Sequence, residues 1–488
     1  MSLPISRRVI MENKSPEKPS LDHVKLIPLV TVVVVSVIIW FIPPPEGVKQ
    51  EAWHLLAIFV GTVLGFIVKP LPMGAVAIIG IMMTSLTGTL SIANALSGFS
   101  NNVIWLIGAA FFISRAVIKT GLGARIAYHL MKVLGKKTLG LSYGLGIADL
   151  ILAPAMPSNT AREGGIIMPL IRSVAEVYDS DPTKGTERKI GSFLMLTAFQ
   201  INIITSAMFM TAMASNPLAA ELAGKAGVSI SWGDWFLAAL VPGFISLIVL
   251  PLVIYKLYGP EIKETPEARE LASGRLLEMG PMTPGEWITS GVIVLLLCLW
   301  VGGQTFSIDA TTAAFVGLAV LLLMGVLTWQ DMLNETGAWD TIVWFAALVM
   351  MANQLNSLGF IPWFGDTVAG KVSHLEWTTA FLILALVYFY SHYLFASQTA
   401  HISAMYAPFL AIALTVGAPP VLAALVLAFF SNLFSSLTHY ANGPAPVVFG
   451  TGYVTMGIWW GMGAAISVIN IVIWVGAGAI WWKVIGFL

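Results

Sequence analysis

SNTAREGG, residues 158–165, interrupts a long apolar run, and FASQTAH, residues 395–401, interrupts another in the second half of the chain. Aligned on Ser158-Asn159-Thr160 and Ser397-Gln398-Thr399, the two stretches keep matching at equal distances: Ala161 with Ala400, Arg162 with His401, Pro169 with Pro408, Leu170 with Phe409. The chain therefore carries a repeat. A helix that stops inside an apolar stretch leaves amide N–H groups unpaired, and Ser, Asn and Thr cap such ends. Two such tips in one chain are what membrane transporters use where a small oxygen-rich ligand sits at the interface of inverted repeats.

Composition sets the solvent. The chain is 57% hydrophobic and 10% charged, where a soluble domain carries about 25% charged residues. Apolar runs of about 20 residues, the length that crosses a bilayer, recur along it, which excludes a pair of soluble domains. Lys plus Arg and Asp plus Glu both total 25, so net charge points to no nucleic-acid or acidic partner. Cys298 is the single cysteine and forms no intrachain disulfide; it is expected as a buried small apolar residue. Residues 1–20, polar and containing Pro16 and Pro19, are expected as a disordered cytoplasmic tail and not as a cleaved signal.

Residues 26–42 predict a first spanning helix closed by Pro43-Pro44-Pro45. Residues 53–68 and 73–90 predict a helical hairpin, and 103–118 the fourth span. Residues 121–134 place Arg125, His129 and Lys132 at helical spacing, which predicts an amphipathic helix at the interface. Residues 139–153 and 161–174 then make two arms around the first tip, neither comfortably long enough to cross. Such re-entrant backbone is tolerable only where protein buries it or it lines a wet cavity. Residues 190–213 predict a helix broken at Ser215-Asn216-Pro217, and 235–258 span again.

The second half replays this order with 287–302, 311–327, 342–358, 360–372, the arms 378–396 and 400–416, a helix 421–440 broken at Asn442-Gly443-Pro444, and 457–484. The fold class is thus an all-α polytopic membrane protein. It has two repeats of five spanning helices and a re-entrant hairpin each, plus one extra N-terminal helix. The divisions are 1–20 (tail), 21–258 (first helix and repeat 1), 259–285 (cytoplasmic linker) and 286–488 (repeat 2). An odd number of crossings inverts the second repeat. With the tail cytoplasmic, Lys69, the basic cluster 115–137, Arg172, 184–189 and 256–275 fall inside, and Lys49, Lys225, Lys371 and Lys483 outside, as positive-inside requires.

Arg162 and His401 stand one turn into the helix after each tip. An Arg near a membrane centre costs roughly 2.5 to 3.5 kcal/mol on insertion scales, so it needs an anionic substrate or an internal partner, Glu163 or Asp149. His401 is read either as a second positive group or as a neutral core histidine, and His392 and His439, without repeat equivalents, as structural. Two tips facing each other, each a positive helix end, suit a short dianion with one carboxylate per triplet. No nucleophile elbow, zinc-protease motif, phosphate loop, Cys-x-x-Cys or paired intramembrane aspartates appear, so the reading is not an enzyme and names no cofactor or metal.

With SNTAREGG, FASQTAH and YANGPAP (residues 440–446) on the page, the chain resembles the divalent anion:sodium symporter (DASS) family from the first span onward. It is most similar to the exchanger branch of citrate/succinate and tartrate/succinate antiporters and 2-oxoglutarate/malate translocators. The resemblance implies a cell-membrane homodimer with a scaffold domain and an elevator-like transport domain. It implies substrate carboxylates held by Ser158, Asn159, Thr160, Ser397, Gln398 and Thr399, with Asn216, Pro217, Gly443 and Pro444 beside the helix breaks as further candidates. Sodium-coupled members have small or neutral residues after each triplet and Asn in the middle of both. Arg162, His401 and Gln398 depart from that pattern, and a fixed cation beside a sodium site repels the ion. Sodium-independent exchange of dicarboxylates such as 2-oxoglutarate, malate, fumarate and succinate is the expectation that follows, with a sodium-coupled symporter as the alternative.

Overall fold

Apolar runs punctuated by Gly, Pro and capping residues give a chain that is helical nearly throughout its described residues, 24–372, 376–395 and 397–487 of a computed structural model. The expected tail, 1–20, lies outside them. Among the described residues there is no β-strand, only an isolated bridge between Lys137 and Glu264.

The first half runs α1 (Leu26–Phe41), α2 (Gln50–Val68), α3 (Met73–Leu86), α4 (Asn102–Thr120), α5 (Leu122–Leu134), α6 (Thr138–Leu152), α7 (159–177), α8 (Gly191–Met208), α9 (Ser215–Lys225) and α10 (Trp232–Leu257). After α11 (Pro266–Met279) the second half follows the same order. Its helices are α12 (Pro284–Val301), α13 (Ala310–Leu323), α14 (Thr336–Ser357), α15 (Phe360–Val372), α16 (Trp377–Tyr390), α17 (398–415), α18 (Pro420–Leu433), α19 (Pro444–Phe449) and α20 (456–484). Among the described residues eight helices are long and apolar enough to cross a membrane, or nine if the bent pair α14 and α15 is one span. α1, α3, α13 and α18 are shorter apolar helices. The first arm of the first hairpin is longer than expected. With the single turn that follows α6 and α16, each extends to 18 apolar residues, a crossing length.

α8 organises the interior. All 18 of its residues are buried, the polar Gln200, Asn202, Thr205 and Ser206 among them. It packs against both arms of the first hairpin, α10 and α18. α1 is the opposite case: none of its residues is buried, and Ile27 and Phe41 are almost fully exposed. Cys298 is also exposed, on the outer face of α12, and not buried as its size suggested. In lipid, an apolar thiol is as well placed outside as inside.

Both broken helices break earlier than the sequence suggests. α8 ends at Met208, Phe209 and Met213 are extended, and Ser215-Asn216-Pro217 begins α9. Pro217 fits a first turn because the N–H it lacks has no intrahelical partner there. Pro444 likewise opens α19.

On the polar face, α5 is amphipathic as expected, but Arg125 is buried while His129 and Lys132 are exposed. Its Nε donates to Glu286 Oε1 at 2.6 Å and its Nη1 to the Gly280 carbonyl at 2.8 Å. Glu286 also closes the capping box with Thr283 that starts α12. This pair clamps the linker between the halves. The linker contains a helix, α11, that its polar composition hid; Ala268 and Ala272 are its buried residues, and α11 packs on α5. Removing one partner of a buried pair strands the other, at about 3 to 5 kcal/mol. Arg125→Ala is therefore expected to lower the melting temperature in detergent sharply. Arg125→Met with Glu286→Gln should lose much less than the sum of the two single changes.

Candidate functional site

Each tip is built the same way. Ser158 and Ser397 are extended, and each side-chain oxygen accepts a backbone N–H three residues on, from Ala161 at 3.1 Å and Ala400 at 3.3 Å. Each serine keeps its own proton to donate. Four helical residues follow, 159–162 and 398–401, and then a widened i→i+5 turn, 163–167 and 402–406. Such turns are rare and are found frequently at functional sites. In both triplets the middle residue is buried, whereas the outer two, Ser158 with Thr160 and Ser397 with Thr399, are half-buried. The outer hydroxyls thus remain accessible. Asn159 turns inward, its Oδ1 accepting the Thr160 N–H at 2.9 Å.

Arg162 is fully buried, and its charge is matched inside the protein. Nε donates to Asp149 Oδ1 at 3.0 Å, Nη1 to the carbonyls of Met156 at 2.5 Å and Ala212 at 2.6 Å, and Nη2 to Ser206 Oγ at 2.9 Å. The picture of an unpaired cation waiting for an anion is corrected: of the two partners weighed from sequence, Asp149 holds it. Asp149 in turn accepts from Asn202 Nδ2 at 3.2 Å and from the Thr205 hydroxyl. The Met156 carbonyl precedes the first tip and the Ala212 carbonyl lies in the first break, so one guanidinium satisfies backbone oxygens freed by two interruptions.

His401 is also fully buried, and His392 is its partner. The two Nδ1 atoms are 2.9 Å apart, and His392 Nε2 is 3.0 Å from the Ala441 carbonyl. A carbonyl only accepts, so His392 Nε2 carries a proton. In the neutral pair His392 Nδ1 is then the acceptor and His401 Nδ1 the donor. Phe434 stacks on both rings and Phe395 on His401. His392, which has no repeat equivalent in sequence, therefore does for the second break what Arg162 does for the first.

The breaks join the halves. Asn216 Nδ2 donates to the carbonyls of Ser206 (2.7 Å) and Phe209 (3.0 Å), and its Oδ1 accepts from Asn432 Nδ2 at 2.8 Å. Gln398 donates to the Ser431 carbonyl and, at 3.4 Å, to Asn432 Oδ1. A Cβ on Gly443 would lie 2.1 Å from Thr160 Oγ1, so the first tip presses on the second break at a point only glycine fits. Pro217 and Pro444 are both buried in first turns. Pro217 and Met210 also line a cavity of about 570 Å³, together with Glu221, Asp234, Trp300 and Asp309. It lies beside the first break.

The sequence reading missed Asn202, Thr205, Ser206 and Asn432. A signal for them existed: Asn202 is followed by Thr205-Ser206 at the spacing with which Asn432 is followed by Ser435-Ser436. Nor did it single out polar atoms left without a partner. Both Glu163 carboxylate oxygens, both Gln200 amide atoms and the hydroxyls of Thr197, Ser435 and Thr438 are buried without a hydrogen bond. Among the described residues no group of three or more His, Cys, Asp or Glu is placed to hold a metal ion.

The family described as "Sodium:sulfate symporter transmembrane region" matches residues 23–488. "Putative malate transporter YflS" of Bacillus subtilis (strain 168) is 60% identical over 95% of this chain and 97% of its own. "Dicarboxylate transporter 1, chloroplastic" of Spinacia oleracea is 51% identical over 94% of this chain and 81% of its own. Among solved structures, the Alcanivorax borkumensis YdaH transporter is similar in fold, with a TM-score of 0.52, 12% identity and coverage of 95% of this chain and 96% of its own. The chain belongs to the sodium:sulfate symporter (DASS) family of multi-pass membrane transporters.

Two substitutions test this geometry. Arg162→Ala strands Asp149 and is expected to cost about 3 to 5 kcal/mol of stability; adding Asp149→Asn should restore part of the melting temperature. Gly443→Ala should leave the fold assembled but displace Thr160, read as weakened ligand binding in a protein that still purifies as a single species.

Proposed function

We propose that this chain exchanges short dicarboxylates across a cell membrane, one for another, without sodium. The observation that carries the reading is the pair of identically built tips, each presenting two half-buried hydroxyls, together with relatives named for malate and dicarboxylate transport. A dianion with a carboxylate at each end matches two such tips. Ser158 and Thr160 would hold one carboxylate, Ser397 and Thr399 the other. Asn159 and Gln398 would act by holding the tips in shape, since both are buried. A ligand of this class needs no covalent step, so no nucleophile or cofactor is called for.

Sodium independence rests on occupancy. A hard cation takes oxygen ligands from carbonyls, carboxylates and side-chain amides. Beside the first tip, the Met156 and Ala212 carbonyls, Asp149 and Ser206 are already bound to the Arg162 guanidinium. Beside the second, the Ala441 carbonyl is taken by His392. Arg162, and His392 as the partner of His401, thus occupy these particular oxygens, which an ion would otherwise use. Because the Arg162–Asp149 pair is internally neutral, it supplies no net charge to bar an empty carrier from resetting, so strict exchange must draw its barrier from elsewhere in the moving part. The reading includes a homodimer, the N-terminus in the cytoplasm, and a transport domain of α6–α9 and α16–α19 that moves past a scaffold formed by the remaining helices.

Purified protein in sodium-free vesicles should take up labelled malate only when the vesicles are preloaded with dicarboxylate. Uptake into empty vesicles driven by an imposed sodium gradient contradicts the exchanger and supports a symporter. Ser158→Ala and Thr399→Ala should each raise the malate concentration for half-maximal exchange about tenfold, the worth of a hydrogen bond to a charged group. Their melting temperatures should stay near that of the parent.

A further inference from the structure

We infer that Asn216 and Asn432 form a crossbar that fixes the separation of the two tips and so selects the length of the dianion that bridges them; this rests on the reading of the tips as carboxylate sites. The crossbar is one unbroken chain. Gln398, in the middle of the second tip, donates to Asn432 Oδ1 at 3.4 Å, and Asn432 Nδ2 donates to Asn216 Oδ1 at 2.8 Å. Asn216 Nδ2 reaches the Ser206 carbonyl at 2.7 Å, and the hydroxyl of that serine accepts from Arg162, one turn beyond the first tip, at 2.9 Å. Asn216, Asn432 and Ser206 are each 1% exposed and Gln398 4%, so water does not compete for these bonds.

The direction of the chain is forced. At one end Asn216 faces two carbonyls, those of Ser206 and Phe209. At the other Gln398 faces the Ser431 carbonyl. Carbonyls only accept, so both terminal amides must present nitrogen to them. Asn216 is left with its oxygen toward Asn432, which answers with nitrogen and turns its own oxygen to the nitrogen of Gln398. No amide can flip without breaking bonds at both of its ends, and the linkage behaves as a rod of set length.

A second contact crosses the other way: Thr160 of the first tip sits where a Cβ on Gly443 would be, at 2.1 Å, against the second break. Each tip is therefore referred to the opposite half, one by hydrogen bonds and one by steric contact. An acid too short cannot touch both hydroxyl pairs, and one too long must stretch the Asn432–Asn216 bond. Gln398 matters here for reach. An Asn at this position is one methylene, about 1.5 Å, shorter, and the bond to Asn432 already stands at 3.4 Å.

The test is competition of malonate, succinate, glutarate and adipate against labelled malate exchange in vesicles. The parent should discriminate sharply by length. In Asn432→Ala and in Gln398→Asn the ratio of half-inhibitory concentrations, adipate over succinate, should fall about tenfold, or 1.4 kcal/mol of discrimination. A role in stability alone would weaken all four acids together and leave that ratio unchanged, and a ratio within about twofold of the parent in a variant that still exchanges malate overturns the crossbar. If Asn432→Ala fails to fold, Gln398→Asn, which keeps the amide, decides by itself. A parent protein that exchanges dicarboxylates without regard to length also overturns the crossbar while leaving the reading of the tips intact. A parent that exchanges none overturns both.

Discussion

Interrupting a helix inside a membrane frees carbonyls that no water can satisfy, and this chain does so at two tips and two breaks. The Arg162 guanidinium is the answer in the first half. It binds the Met156 carbonyl at the tip and the Ala212 carbonyl at the break, and Asp149 neutralises it. Unpaired polar groups in hydrocarbon cost several kcal/mol each, so the cost of burying this ion pair is offset by the backbone oxygens it serves. The tip can then stay partly open, with Ser158 and Thr160 half-buried, because its rear is closed.

The second half meets the same demand without a full charge. His392 donates to the Ala441 carbonyl and pairs with His401, and Phe434 and Phe395 stack on the rings. Position 149 of the first half corresponds to Tyr388 in the second, which packs on His401 and bonds Ser431 instead of accepting an ion pair. One architecture is thus held by an electrostatic lock in one half and by an aromatic and hydrogen-bonded lock in the other. Their meeting point is the Asn216–Asn432 contact between the breaks.

Much of this was legible in the sequence because the bilayer enforces a simple grammar. Apolar runs, capped tips and prolines placed most helices within a few residues, and the repeat of Ser158-Asn159-Thr160 at Ser397-Gln398-Thr399 marked two tips that are built alike. What stayed hidden depended on partners far apart in the chain. Arg162 was visible as a costly charge, but Asp149 and Glu163 were equal suitors until α6 brought Asp149 within 3.0 Å. His392 looked isolated because its partner is not its repeat equivalent. Arg125 looked like one of three interfacial charges, and only the fold shows Glu286 opposite it, 161 residues on. The linker helix α11 was hidden because its stability comes from packing on α5 and not from its own pattern.

In the proposed function the tip hydroxyls meet the ligand, while Arg162 meets Asp149 and the backbone. A cryo-electron microscopy map of the protein with malate bound tests this arrangement most directly. The account predicts one carboxylate within hydrogen-bond distance of the Ser158 and Thr160 hydroxyls and the other at Ser397 and Thr399, with Arg162 still on Asp149. A guanidinium that has left Asp149 to grip the ligand, or a ligand bound away from the two tips, would contradict it.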